Sequence, residues 1–528
     1  MTSTQRGALG AAILGSGTVF LDGTIVNLAL PNIGKTLPAV AIGVLEGQVY
    51  VVAGYMAMLA AFLLIAGALG DRYGRRRVFV IGLGGFGITS LLCGLAPNLD
   101  ILAAARLLQG LAGALLVPGS LAIITAMFDG PERGRAFGIW ASATSAVAVI
   151  GPPVGGALVE VFGWRSIFLL NAPLVAIGLA LALRYVPELV SSEARARFDW
   201  LGSIVGVIAI GGLAFGAIRG QQESWREPGP LIVLAIGAVA VVAFPILMLR
   251  RRDPLVPPAL FRIRTFSTIN LSTFLIYSAL YVLIYVQSLF LQGVLGYSPL
   301  AAAIVGLPSG VMLAFLSTYA GTLAGRHGAR RFLVAGPILM LLGALWWLRV
   351  PATSTPWVAR LDQPGSLLPP IAAFTDPLPA IILFGLGISL VVAPLTSTLM
   401  SSVPVDRAGV ASAINNALSR VGQPLVSAGI FILITDRFYT SLAERVPGLD
   451  PHSASLRSTV QPLNPPGDGV TAATAEAARL ASTEAFQATM LVVAALLLGG
   501  ALVNWFGLRS DAGKSAGGSG AEGAPAAG

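Results

Sequence analysis

Two ionisable residues of opposite sign stand inside long apolar runs, Asp22 in the run 7–30 and Arg106 in the run 101–127. A carboxylate in the middle of a spanning helix costs at least ~2.5 kcal/mol on insertion scales, so Asp22 must face a cavity or a partner. The chemistry open to such a group is proton exchange, because a carboxyl can carry charge in one state and none in the other. The plainer reading is a carboxyl that only satisfies a neighbouring helix. Arg106 can be its partner. If the N-terminus is cytoplasmic, a rise of 1.5 Å per residue puts Asp22 ~12 Å and Arg106 ~10 Å below the same outer face. Gln109 and Gly110 share the helical face of Arg106 at i+3 and i+4. A third embedded charge, Arg420, lies near the middle of the run 408–435, just beyond Asn415 and Asn416. Substrate binding, pairing across the molecule and stabilisation of a helix end all stay open for it. Glu46, by contrast, falls at a run's outer end, where water can solvate it.

A polar and aromatic stripe passes through the run 265–291: Asn270, Phe274, Tyr277, Tyr281, Tyr285, Ser288 and, just past it, Gln292. Steps of three and four place these on one helical face. Interfacial tyrosine belts occur at helix ends, whereas this stripe crosses the middle. It can contact a substrate or pack helix on helix. The candidate substrate contacts are therefore Asn27, Gln109, Asn270, Tyr277, Tyr281, Tyr285 and Arg420. Other chemistries find no residues. There is one cysteine, Cys93, so no internal disulfide can form, and the two histidines, His327 and His452, stand far apart. No HExxH, paired cysteines or nucleophile–base set is present, so neither a metal, a cofactor nor an enzyme reaction is expected.

The elements that carry these residues follow from composition. Of 528 residues, 55% are hydrophobic and 11% charged, against roughly 25% charged in soluble domains. Fourteen apolar runs are long enough to span a bilayer, each needing ~20 residues. Residues 265–325 hold no charge and are too long for one helix; Gly293, Gly296 and Pro299 mark the turn between two. The first run is longer than a signal-peptide core and reads as the first span. With the N-terminus inside, 21 of the 33 lysines and arginines fall in cytoplasmic segments and 10 in external ones, leaving Arg106 and Arg420 in spans. That bias puts both termini in the cytoplasm of an inner (plasma) membrane protein. It also accounts for the net charge of +9 without a basic face for nucleic acid.

Gly67-Ala-Leu-Gly-Asp-Arg-Tyr-Gly-Arg-Arg-Arg77 aligns with Gly321-Thr-Leu-Ala-Gly-Arg-His-Gly-Ala-Arg-Arg331, with six of eleven positions matching. Two parallel halves of a transporter give such a repeat. The expected organisation is a six-helix bundle over 1–190, two extra helices and a linker over 191–264, and a second six-helix bundle over 265–508. The second bundle carries an external loop at 436–484, and a disordered tail follows at 509–528.

Residues 67–77 resemble the loop motif of the major facilitator superfamily. Arg106-Leu-Leu-Gln-Gly110 resembles its fourth-helix motif, and Gly151-Pro-Pro-Val-Gly-Gly156 its exporter motif, although Val147 stands where a glycine is usual. Leu21-Asp-Gly-Thr-Ile-Val-Asn-Leu-Ala-Leu-Pro31 and Trp164-Arg-Ser-Ile-Phe-Leu-Leu-Asn-Ala-Pro173 resemble segments of the fourteen-helix drug:proton antiporters. The resemblance implies an all-α polytopic membrane protein of major facilitator fold, with fourteen transmembrane helices, that moves small molecules by alternating access. It implies that the first and fourth helices are neighbours, bringing Asp22 and Arg106 together for proton coupling. It implies a conformational latch at Gly67, Asp71, Arg72, Gly74, Arg75 and Arg76, confined to the first half because Gly325 replaces Asp71 in the second. It implies a bend and seal between halves at Gly151, Pro152, Gly155 and Gly156; ordinary packing is the alternative there. The expected function is proton-coupled export of small lipophilic compounds by a chain that works as a monomer, with small-molecule substrate, protons and lipid bilayer as partners. A proton-linked uptake symporter shares the fold and is the alternative.

Overall fold

The computed structural model describes residues 1–508 apart from 189–198, 224, 226, 253, 255, 404–407 and 468. Fourteen helices within it are long and apolar enough to cross a membrane. In the first half these are α1 (Ser3–Thr36), α2 (Val44–Leu63), α3 (Arg75–Gly94), α4 (Leu99–Met127), α5 (Arg135–Phe162) and α6 (Arg165–Tyr185). The pair α7 (Trp200–Gly220) and α8 (Pro228–Arg250) follows. The second half holds α9 (Arg264–Val294), α10 (Pro299–His327), α11 (Ala329–Arg349), α12 (Pro377–Ser401), α13 (Val410–Arg445) and α14 (Ala472–Gly507).

Helix starts carry local signals. The Thr2 side chain accepts from the Gln5 amide while the Gln5 side chain accepts from the Thr2 amide, a capping box that satisfies two orphan donors. Asn98 caps α4, and Ser298, followed by Pro299, caps α10. The repeat appears in the backbone: Gly74 and Gly328 are its equivalent glycines, with φ of 100° and 87°, and each turns one span into the next. A side chain at such φ is strained, which explains glycine in both copies.

Within the first half α1 packs on α4, α5 and α6, and within the second α9 packs on α13 and α14. The halves meet along two main seams, α5 with α10 and α2 with α13, and α1 also touches α9. The extra helix α7 lies against both α2 and α13. Glu46, expected to be solvated, is instead fully buried there, and Arg219 of α7 reaches it at 3.5 Å while also donating to the Ala41 carbonyl. A neighbouring chain segment, not water, covers that helix end. Tyr50 stacks on Phe215 of α7, with ring centroids 5.6 Å apart.

The long loop is shorter than the sequence suggests. α13 runs on to Arg445 and α14 starts at Ala472, so the connection spans 446–471. The added turns are too polar to register as spans. They are held by an Arg445–Glu484 ion pair and by Arg445 donating to Ser441. Asn464 of this connection and Gln48 of α2 exchange two amide hydrogen bonds, at 2.8 and 3.0 Å, across the end of the molecule far from the N-terminus.

On the α5–α10 seam Gly156 faces the other half. A Cβ there would stand 2.9 Å from both the Pro299 carbonyl and the Ala303 Cβ. Backbone cannot yield as a flexible side chain can, so Gly156→Ala should destabilise by about 1–3 kcal/mol. Gly84→Ala, in α3 with nothing within 4 Å, should leave the unfolding temperature unchanged or raise it. Thermal unfolding of the two variants in detergent compares them; equal behaviour contradicts the seam contact.

Candidate functional site

Asp22 and Arg106 meet. Both are buried, at 0% and 1% exposure. Arg106 Nη1 donates to Asp22 Oδ2 at 2.5 Å and to Gln109 Oε1 at 2.8 Å. Gln109 Nε2 and Asn171 Nδ2 donate to Asp22 Oδ1 at 3.2 and 3.3 Å. Asn171 also donates to Ser90 Oγ at 2.9 Å, and that hydroxyl donates to the Phe168 carbonyl. The Tyr55 ring lies 4.0 Å from the guanidinium carbon, a cation–π distance. Five helices, α1, α2, α3, α4 and α6, thus contribute to one buried charge cluster.

Two backbone features make room for it. Arg106 Nε donates to the Val51 carbonyl at 2.9 Å. Val51 lies in a π-helical turn, Tyr50–Gly54, in α2. Such a wide turn leaves the α ladder and frees a carbonyl for another donor. Gly110 then lets α4 approach α2: a Cβ there would stand 2.3 Å from the Tyr55 carbonyl.

Next to the pair is a cavity of about 290 Å³, bordered by Gly23 on α1. Its described lining is mostly aliphatic and carries no charged side chain; the polar groups include Thr24, Asn27, Tyr281, Gln287, Ser288 and Gln423. Asn27 Nδ2 donates to the Gly23 carbonyl at 3.3 Å, and Asn27 Oδ1 has no partner. Ser288 Oγ donates to the Asn27 carbonyl at 2.6 Å, joining α9 to α1. Seven helices of the two halves, α1, α2, α5, α9, α10, α12 and α13, form the walls.

Other candidate contacts fall elsewhere. Gln109 belongs to the charge cluster. Asn270 accepts from Asn415 Nδ2 at 3.1 Å, bonding α9 to α13. Tyr277 lies beside Tyr281, the rings tilted by 50° with centroids 6.2 Å apart, and Tyr285 is buried with its hydroxyl unpartnered among the described residues; neither Tyr277 nor Tyr285 borders the cavity. Arg420 is 6% exposed, and its Nε has no partner among the described residues. Sequence reasoning missed Asn171, Tyr55, the Val51 carbonyl and Gln423. Asn171 had a signal, as an amide inside the quoted segment 164–173.

Residues 12–427 match the profile of the Major Facilitator Superfamily. The chain belongs to that superfamily. Multidrug resistance protein Stp of Mycobacterium tuberculosis (strain CDC 1551 / Oshkosh) is 35% identical over 426 residues, 80% of this chain and 75% of the relative. Multidrug efflux pump LfrA of Mycolicibacterium smegmatis is 30% identical over 492 residues, 92% of each. Among solved structures, a bacterial homolog of the human lysosomal transporter Spinster, inward-facing and unoccupied, superposes with a TM-score of 0.62 at 18% identity. It covers 97% of this chain and 100% of its own, and it shows the fold. The chain is thus a multi-pass membrane transporter of the major facilitator type, not an enzyme.

The superfamily loop motif is visible in part. The side chains of Asp71 and Arg72, and Gly67, lie outside the described ones. Gly74 turns α2's extension into α3. Arg75 donates to the Ala122 carbonyl at 3.3 Å and Arg76 to the Leu183 carbonyl at 2.7 Å. Arg330, the repeat equivalent of Arg76, donates to the Trp505 carbonyl at 2.6 Å. Each arginine therefore sits at the C-terminal end of its own half's last helix, where the helix dipole favours a cation. In the Gly-Pro motif, Gly151 and Gly155 press on α1, at Thr24 and Ile25, while Gly156 presses on α10 and Pro152 borders the cavity.

Removing one member of the buried pair strands the other. Arg106→Leu should cost about 3–5 kcal/mol, and the double variant Asp22→Asn/Arg106→Leu should recover a large part of that loss. Unfolding temperatures of the single and double variants in detergent measure it. A double variant no more stable than Arg106→Leu would show that the pair is not coupled as drawn.

Proposed function

We propose that this chain exports small lipophilic molecules in exchange for protons, by alternating access. The observation that carries the proposal is the position of Asp22: a fully buried carboxylate, neutralised by Arg106, one residue from a cavity-lining glycine. Protonation removes the negative charge and leaves Arg106 without its counter-ion in a site closed to water, which is costly. The guanidinium must then find new partners. Its bond to the Val51 carbonyl transmits that change to α2, and α2 forms a seam with α13. Proton binding is thereby tied to the contact between halves. A pH step of one unit is worth ~1.4 kcal/mol, enough for about tenfold accumulation per proton exchanged. No nucleotide is required.

The direction is supported by the relatives, which are named as multidrug resistance and efflux proteins. The lipophilic substrate class is supported by the uncharged, largely aliphatic cavity. We place the chain in the plasma membrane with both termini cytoplasmic, on the arginine and lysine bias. One chain holds both halves, the cavity and the coupling pair, so a monomer suffices. In this orientation the Gln48–Asn464 contact closes the external end, and the arginines of the loop motif hold the cytoplasmic end of each half.

Asp22→Asn should fold but lose gradient-driven accumulation, since an amide exchanges no proton. Uptake of a fluorescent drug by inverted vesicles under an imposed pH gradient reads this out, and full pH-driven uptake by the variant would refute proton coupling through Asp22. Charge bounds the substrate as well. The embedded acid is committed to Arg106 and the described cavity wall offers no other, so a dication meets no counter-charge there. Matched monovalent and divalent quaternary ammonium compounds should therefore differ, the divalent one being exported poorly. Strong export of the divalent compound would mean that a further acid reaches the cavity.

A further inference from the structure

On α13, Arg420, Gln423 and Ser427 follow at steps of three and four, which places them on one helical face. All three are buried, at 6%, 1% and 3% exposure. Each has an atom without a hydrogen-bond partner among the described residues: Arg420 Nε, Gln423 Oε1 and Ser427 Oγ. Buried polar groups are almost always paired, so three open valences on one face call for an explanation. Gln423 borders the cavity. Arg420 lies one turn closer to the start of α13, ~4.5 Å along the axis. Tyr281 of α9 borders the cavity as well. Arg420 thus stands one turn from the cavity-lining Gln423 on the same face of α13, and among the described residues no carboxylate bonds to it. The nearby buried acid, Asp22, is taken by Arg106, Gln109 and Asn171.

We infer that Arg420 receives the anionic group of the transported molecule, which makes the cavity selective for amphipathic organic anions: an apolar, flat body with one sulfonate, carboxylate or similar group. The inference rests on the cavity being the substrate site of the proposed exporter. An unpaired buried guanidinium is costly in the empty cavity, and a ligand anion relieves that cost through charge-assisted hydrogen bonds. The aliphatic wall and Tyr281 take the ligand's apolar body, and the unpartnered Gln423 and Asn27 oxygens accept from any donor on it. Arg420 is a specificity-determining residue in this arrangement, separate from the Asp22–Arg106 pair.

Two probes share one skeleton and differ in charge: 8-anilinonaphthalene-1-sulfonate and the uncharged N-phenyl-1-naphthylamine. Equilibrium dialysis against the purified full chain in nanodiscs, with empty nanodiscs subtracted, gives the affinity for each. Wild type should bind the sulfonate at least about tenfold more tightly than the neutral probe, the size of one charge-assisted hydrogen bond. Arg420→Gln should remove that advantage while changing neutral-probe affinity by less than about twofold, and Arg420→Lys should keep part of it. Equal binding of both probes by wild type overturns the inference even if the glutamine variant does not fold. Parallel weakening of both probes by Arg420→Gln also overturns it, because it makes the residue structural. Dialysis uses no pH gradient, so failure of proton coupling through Asp22 leaves this result untouched.

Discussion

The Asp22–Arg106 pair imposes the strictest constraint on the molecule. Two charges removed from water must satisfy each other and every remaining lone pair and N–H, and five helices are committed to doing so. Gln109 and Asn171 complete the carboxylate, a π-helical turn supplies a backbone carbonyl, and Gly110 lets that backbone come close. Each feature reads as a local oddity in isolation. Together they are the conditions under which an ion pair can exist inside an apolar bundle.

The two halves share a frame and differ in chemistry. Both turn at a positive-φ glycine after the second helix, and both use the arginine two residues after that glycine to hold the last helix. Only the first half holds the acid–base pair, whereas the second contributes the α13 face with Arg420 and Gln423. The charge cluster and the Arg420–Gln423 face thus stand in different halves of one repeated frame, while residues of both halves wall the cavity.

Much of this was legible in the sequence. Fourteen apolar runs gave fourteen helices, the charge-free stretch broke near Gly296 as expected, and the matched depths of Asp22 and Arg106 correspond to a real contact. What stayed hidden lacks a side-chain signature. A freed carbonyl at Val51 looks like any other valine, and Gln423 is one amide in an apolar run. The polar turns at 436–445 and 472–484 resemble a loop because hydropathy does not see helices stabilised by ion pairs beyond the spans. The Tyr277–Tyr281–Tyr285 stripe was legible as a face, but periodicity does not tell which part of a face meets a cavity and which meets a neighbouring helix. Glu46 was misjudged for a related reason: the helix that covers it, α7, comes from outside the repeated halves.

The contact between Gln48 and Asn464 is made by two neutral amides. It carries no charge for dissolved ions to screen and no proton to lose, so neither ionic strength nor acidity acts on it directly. Closure at that end is therefore set by geometry alone. A change of salt or acidity in the medium around that end leaves the contact as it was.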